Sequence, residues 1–313
     1  MIYLMLILGL FLLVFGGDLL VKGAVGVANK MGISPLVVGI VLVGFGTSTP
    51  ELMASILAVF KTPPSPGIAI GNVVGSNIAN ILLILGVTAL IHPIKIDMKS
   101  FKRDSSFLFL SCLFLVLAMF FTRLNLLGGI IFVTTLIYYI YYCYRSEMKD
   151  KKEQKKIEKE ITQNADDKVS TLRYFITAVI GIALTMLGAK LLVDNSVLLA
   201  RQWGISETVI GLTLVAVGTS LPELASSIMA SIRKHNDVAF GNVVGSNIYN
   251  ALFILGTVAL LTPLPFKSDL WESILIMSMT TLWLICLGLF KQISRTMGFL
   301  FLIAYTGYIV CLM

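Results

Sequence analysis

Residues 46–51 read Gly-Thr-Ser-Thr-Pro-Glu, and residues 218–223 read Gly-Thr-Ser-Leu-Pro-Glu. Each copy lies within an apolar run long enough to cross a bilayer. Each therefore puts a carboxylate where an ionisable group is costly and, as a rule, functional. The proline before each glutamate sharpens the reading. Pro50 has no N–H, and its ring crowds the carbonyl of Gly46; Pro222 does the same at Gly218. In hydrocarbon the freed carbonyls need a partner in protein, water or a bound ion. Carbonyls, Thr and Ser hydroxyls and a carboxylate thus converge at each break, an all-oxygen set suited to a hard cation such as Ca²⁺ or Na⁺.

Working outward, residues 32–51 and 204–223 match at 12 of 20 positions without a gap. A second pair, Gly-Asn-Val-Val-Gly-Ser-Asn-Ile-Ala-Asn at 71–80 and Gly-Asn-Val-Val-Gly-Ser-Asn-Ile-Tyr-Asn at 241–250, matches at nine of ten. Hydrophobic runs fall near 2–27, 34–60, 68–91, 105–121 and 125–144, then near 172–200, 205–231, 238–262, 271–290 and 295–312. Runs of this length span a membrane as helices. The expected fold is all-α: a polytopic membrane protein of ten transmembrane helices, arranged as two five-helix repeats. The first repeat covers 1–144, with its motif-bearing pair at about 34–91. The second covers 172–313, with its pair at about 205–262. Five is odd, so the second repeat enters the membrane inverted. Inverted repeats mark secondary transporters, whose substrate sites lie at the repeat interface near the midplane.

The composition agrees. Of 313 residues, 57% are hydrophobic and 13% charged, and the mean hydropathy is +0.91. The net charge of +7 does not signal nucleic acid, because the basic residues fall between hydrophobic runs and form no patch with interleaved aromatics. Cys112, Cys143, Cys286 and Cys311 are scattered without a CxxC pair, which argues against disulfides or a metal cluster. The apolar N-terminus lacks a basic leader and a cleavage site, and reads as the first span. The polar segment 145–171 reads as a tether without an EF-hand pattern. Lys and Arg divide nineteen to four between the two sides, with Lys190 inside the sixth span. The richer side, which includes 145–171, is expected to be cytoplasmic, with both termini outside the cell membrane.

Each half thus offers two polar motifs in adjacent spans. Thr47, Ser48 and Glu51, or Thr219, Ser220 and Glu223, come from the first. Ser76 and Asn80, or Ser246 and Asn250, come from the second, one helical turn apart on one face. Asn72 and Asn242 extend that stripe. Gly71, Gly75, Gly241 and Gly245 are expected to admit a neighbouring backbone. The pairs Asp18/Lys22 and Lys190/Asp194, each four residues apart, read as helix-end ion pairs. Two carboxylates facing one cavity are neutralised by one Ca²⁺ or two Na⁺, and a third Na⁺ leaves one positive charge. An empty cavity with two bare charges resists crossing a low-dielectric barrier, which is the property of an antiporter. A proton/calcium exchanger remains open. An enzyme using the two glutamates as acid and base lacks a nucleophile beside a base. A passive channel fits poorly with inverted halves.

These motifs resemble the sodium/calcium exchanger family, within the cation/calcium antiporter superfamily, and are closest to its compact prokaryotic ten-helix members. The resemblance implies that Glu51 and Glu223 coordinate Ca²⁺, with backbone carbonyls at Thr47 and Thr219. It implies that the hydroxyls of Ser48, Ser220, Ser76 and Ser246 line Na⁺ sites. Asn80 and Asn250 stand where potassium-dependent relatives carry an aspartate in the second repeat, which implies K⁺-independent exchange. Alternating access is implied, with the first and sixth helices sliding on a core of the other eight, and Gly16, Gly17 and Gly188 fit sliding contacts. The expectation is a monomeric, electrogenic Na⁺/Ca²⁺ antiporter that needs no cofactor, with Ca²⁺, Na⁺ and the lipid bilayer as its partners.

Overall fold

The computed structural model describes residues 1–62, 64–158, 170–204, 218–266 and 270–312. Ten helices follow in chain order. The first half has α1 (Ile2–Met31), α2 (Pro35–Phe60), α3 (Pro66–Ile91), α4 (Met98–Phe120) and α5 (Leu126–Glu158). The second has α6 (Thr171–Gln202), α7 (Leu221–Ile232), α8 (Asn236–Leu261), α9 (Trp271–Gly288) and α10 (Arg295–Leu312). Eight are long and apolar enough to cross a membrane as described; α7 and α10 are the shorter apolar pair. The preceding part of the α7 span, 205–217, lies outside the described residues, as does 159–169 of the central segment. The all-α polytopic class is the observed fold.

Local sequence sets the helix ends. Gly32 closes α1 in the left-handed region at φ 60°, where a side chain would be strained. Ser34 then caps α2, with Pro35 in its first turn. The Glu147 carboxylate accepts from the Ser34 N–H at 2.8 Å and its hydroxyl at 2.9 Å, which ties the end of the α5 span to the start of α2. Asp97 caps α4 by accepting from the Ser100 N–H at 2.9 Å. Helix α5 continues to Glu158, so the first part of the central polar segment extends the fifth helix instead of forming a loose tether.

Two short strand pairs join the halves at opposite ends. Ile94–Lys95 (β1), after α3, pairs antiparallel with Gln292–Ile293 (β4), after α9. Arg123–Leu124 (β2), after α4, pairs with Leu264–Pro265 (β3), after α8. Each pair joins two loops that the charge count assigns to one side of the membrane. Helices α1 and α6 run antiparallel, as equivalent members of inverted repeats should. A Cβ on Gly9 would stand 3.0 Å from the Gly188 carbonyl, and one on Gly16 would stand 2.6 Å from the Thr185 nitrogen. These glycines bring the two backbones together. The most hydrophobic windows of α3 and α8 are 72% and 83% buried, against 33% and 28% in α1 and α6. The motif helices therefore form the centre, and the α1–α6 pair packs outside it.

The expected close approaches appear in the second repeat. A Cβ at Gly245 would stand 2.8 Å from Ile40 Cα, and Gly241 lies against the Leu36 carbonyl. Among the described residues nothing stands within 4 Å of a Cβ at Gly71 or Gly75. One charge is placed differently from the sequence reading. Arg103 is not a loop cation: it is buried in α4 and binds Asp104 through Nε at 2.6 Å and Nη2 at 3.1 Å. The Tyr139 hydroxyl of α5 completes the cluster at 3.1 Å from Asp104. A charge this deep is tolerated only when paired and hydrogen-bonded.

Candidate functional site

Both motif helices are irregular where the sequence breaks them. Helix α2 passes through a π-helical turn at Gly39–Gly44, and Ser48 leaves helical geometry at φ −81°, ψ 4° before Pro50 opens the next segment. Ser220 takes φ −89°, ψ 6° before Pro222, so the second break repeats the first. Helices α3 and α8 carry π-helical turns at Asn80–Ile84 and Tyr249–Ile254, at the last residue of each second motif. Such turns re-aim side chains and carbonyls, and they recur at functional positions.

The irregularities bring all four motifs to one buried region. Thr47, Ser48, Glu51, Ser76, Asn80, Ser220, Glu223, Ser246 and Asn250 are buried, and so is the Thr219 hydroxyl oxygen. The Ser48 hydroxyl donates to Glu223 Oε1 at 3.2 Å, a contact between opposite halves. Neither oxygen of the Glu51 carboxylate has a hydrogen-bond partner, and the Ser220 hydroxyl has none either. The Thr47 hydroxyl is committed to the Val43 carbonyl at 3.0 Å and to Asn242 Oδ1 at 3.2 Å. Ser246 donates to the Gly44 carbonyl at 3.4 Å. Asn80 Nδ2 donates to Asn247 Oδ1 at 2.9 Å, and neither polar side-chain atom of Asn250 has a partner.

A supporting layer holds these groups, and the sequence reading gave it little weight. Asn72 Nδ2 donates to the Glu51 carbonyl and to Ser55 Oγ, both at 3.1 Å. Asn242 Nδ2 repeats this in the second half, reaching the Glu223 carbonyl at 3.3 Å, Ser226 at 3.0 Å and Ser227 at 2.9 Å. Asn77 and Asn247 donate to each other's carbonyls at 3.2 and 3.4 Å, across the pseudo-two-fold axis. The 172-residue register that aligns the glutamates also aligns Ser55 with Ser227, and that signal was available in the sequence.

Buried polar atoms without partners are uncommon, and here they cluster. Both oxygens of Glu51, one of Glu223, the hydroxyls of Thr219 and Ser220 and the amide oxygens of Asn77, Asn80 and Asn250 are all unpaired. Among the described residues neither glutamate has a Lys, Arg or His partner. No three His, Cys, Asp or Glu side chains cluster there either, so a cation would draw on hydroxyl, amide and carbonyl oxygens beside two carboxylates.

Inverted five-helix halves, broken helices and a central oxygen-lined region define the class of secondary antiporters. The family model described as sodium/calcium exchanger protein matches residues 1–145 and 173–313, and the chain belongs to that family. It is a multi-pass cation/calcium antiporter, a transporter and not an enzyme. The sodium/calcium exchanger MaX1 of Methanosarcina acetivorans is 34% identical over 99% of this chain and 98% of its own length. A solved structure of the sodium-calcium exchanger NCX_Mj, soaked with 2.5 mM Na⁺ and 0.1 mM Sr²⁺, superimposes with a TM-score of 0.84 at 31% identity, covering 99% of each chain. Sodium/potassium/calcium exchanger 2 of Rattus norvegicus is 32% identical over 41% of this chain and 20% of its own length.

Proposed function

We propose that this chain exchanges Na⁺ for Ca²⁺ by alternating access, with Glu51 and Glu223 sharing one Ca²⁺ between the halves. One observation carries the reading: two buried carboxylates from opposite repeats have no basic partner among the described residues, and buried hydroxyl and amide oxygens of the same motifs are unpaired as well. Two such charges cost several kcal/mol each when uncompensated. One Ca²⁺ cancels both, and two Na⁺, each held by one carboxylate and hydroxyls, do the same. A third Na⁺ per Ca²⁺ would move one net charge and make the cycle electrogenic. Asn80 and Asn250 add no third carboxylate, which supports K⁺-independence although potassium-dependent exchangers are among the partial relatives. With the buried Arg103 set aside, the eighteen-to-four division of Lys and Arg supports a cytoplasmic central segment and termini outside the cell membrane. The transport unit is one chain, since both carboxylates come from it.

Protons are the rival coupling ion, because the unpaired Glu51 oxygens are also a place for a proton. Proteoliposomes separate the two. Loaded with Na⁺ and diluted into Na⁺-free medium, they are expected to take up ⁴⁵Ca²⁺ faster when the interior is held positive, and equally well with choline in place of K⁺. Uptake driven by a pH gradient alone would transfer the coupling to protons. A strict K⁺ requirement would overturn the reading of Asn80 and Asn250.

A further inference from the structure

Helices α1 and α6 carry one short segment with its charges exchanged. Residues 16–23 read Gly-Gly-Asp-Leu-Leu-Val-Lys-Gly, and residues 188–195 read Gly-Ala-Lys-Leu-Leu-Val-Asp-Asn. They align in the same 172-residue register as Glu51 and Glu223, so Asp18 corresponds to Lys190 and Lys22 to Asp194. The register also matches Lys61, which ends α2, with Arg233, which ends α7.

The structure treats the two ends differently. Asp18 accepts from Lys22 Nζ at 2.8 Å and from Arg233 Nε at 2.5 Å, and it also contacts Arg233 Nη2. It is not a helix-end pair but a bridge from α1 to the end of α7. Beside it Gly17 lies on the Ala225 carbonyl, which a Cβ would approach to 3.2 Å. At the opposite end Lys61, Lys190 and Asp194 are exposed and, among the described residues, make no ion pair. The order of charges contributes, since an acid preceding a base by four residues pairs better than the reverse. Lys190, Val193 and Asp194 instead line a cavity of about 410 Å³ that reaches Pro50, Gly218 and Thr219 at the two breaks.

We propose that Arg233 and Asp18 latch the ion path shut at the linker end in this conformation, and that Lys61 and Asp194 form the opposite latch when α1 and α6 move. Inverted symmetry requires that, in the alternate state, Lys190 approach Lys61 as Asp18 now approaches Arg233. Those charges repel. Asp194 sits one turn along, where Lys22 stands in the first repeat, and supplies the attraction. The second latch is therefore the weaker, which favours the conformation seen here. Partly exposed pairs bias a population only a few-fold, so such a latch holds a state without trapping it.

The inference rests on the alternating-access reading, and its test uses neither ion binding nor flux. The full chain, with Cys112, Cys143, Cys286 and Cys311 replaced by Ala and Val193→Cys added to the cavity wall, is reconstituted and treated with a membrane-impermeant maleimide in choline buffer. Arg233→Gln and Asp18→Asn are each expected to slow labelling by about two- to fivefold. The charge exchange Asp18→Arg with Arg233→Asp should restore the rate, and so should adding Lys61→Gln to Arg233→Gln. If Arg233→Gln does not fold, Arg233→Lys must label as the parent does and Asp18→Asn carries the test. Unchanged labelling in Asp18→Asn or Arg233→Gln, or no recovery in either rescue, overturns the latch. Normal flux in Glu51→Gln would overturn the transport site and leave this result standing.

Discussion

Glu51→Gln and Glu223→Gln are each expected to reduce ⁴⁵Ca²⁺ uptake to the level of empty liposomes while the protein remains folded. The amide keeps the shape of the side chain and removes its charge. Of the two negative charges that balance Ca²⁺, one is then lost in a buried setting. Removing one member of a buried, hydrogen-bonded charge pair costs about 2–5 kcal/mol, equivalent to roughly 30- to 5,000-fold in affinity. The effect on stability has the opposite sign. Without bound cations the parent carries two uncompensated buried carboxylates, so each Gln variant should melt at the same or a higher temperature in Na⁺- and Ca²⁺-free buffer. A purely structural carboxylate would give the reverse, with the variant less stable and transport lost only through unfolding. Uptake and melting temperature measured on one preparation separate the two.

Gly17→Leu is expected to slow exchange more than tenfold with calcium binding retained. The glycines of α1 divide into two kinds. Gly16 faces α6, and a Cβ there meets the Thr185 backbone nitrogen at 2.6 Å, so it ties α1 to α6. Gly17 faces α7, where the Ala225 carbonyl and Met229 Cγ stand 3.2 Å from an added Cβ. On the alternating-access proposal, that is the surface on which the pair moves. A Leu at Gly17 puts a branched side chain between sliding backbones, and overpacking of this kind costs about 1–3 kcal/mol in the state that feels it. Turnover falls because the contact exists in one conformation and must be remade in each cycle. Gly16→Leu should instead pry α1 from α6 and lower the melting temperature. Flux at saturating Ca²⁺, read beside equilibrium Ca²⁺ binding, distinguishes a jammed cycle from a damaged site. Wild-type turnover in Gly17→Leu would show that this surface does not slide.

What the sequence made legible and what it hid have physical reasons. The bilayer requires long uninterrupted apolar runs, so ten spans and the paired motifs stand out, and the breaks at Pro50 and Pro222 follow from covalent geometry. The cross-half contact of Ser48 with Glu223 needs the relative placement of two helices, which no local pattern contains. Arg103 read as a loop cation because it lies at the edge of its run. Only its burial against Asp104 and Tyr139 shows a buried ion pair. Asp18 and Lys190 share a spacing pattern with their neighbours but not a structure. The difference lies in charge order and in Arg233, 215 residues from Asp18 in the chain. The helical extension of α5 to Glu158 was hidden by a Lys- and Glu-rich composition that suits solvated helix and coil alike.

Equilibrium ⁴⁵Ca²⁺ binding to the purified chain in Na⁺-free buffer addresses the shared-carboxylate claim most directly. The expected result is a single Ca²⁺ per chain, displaced by Na⁺ and absent from both Glu51→Gln and Glu223→Gln. A variant of either glutamate that still binds one Ca²⁺ with the parent's affinity would contradict it.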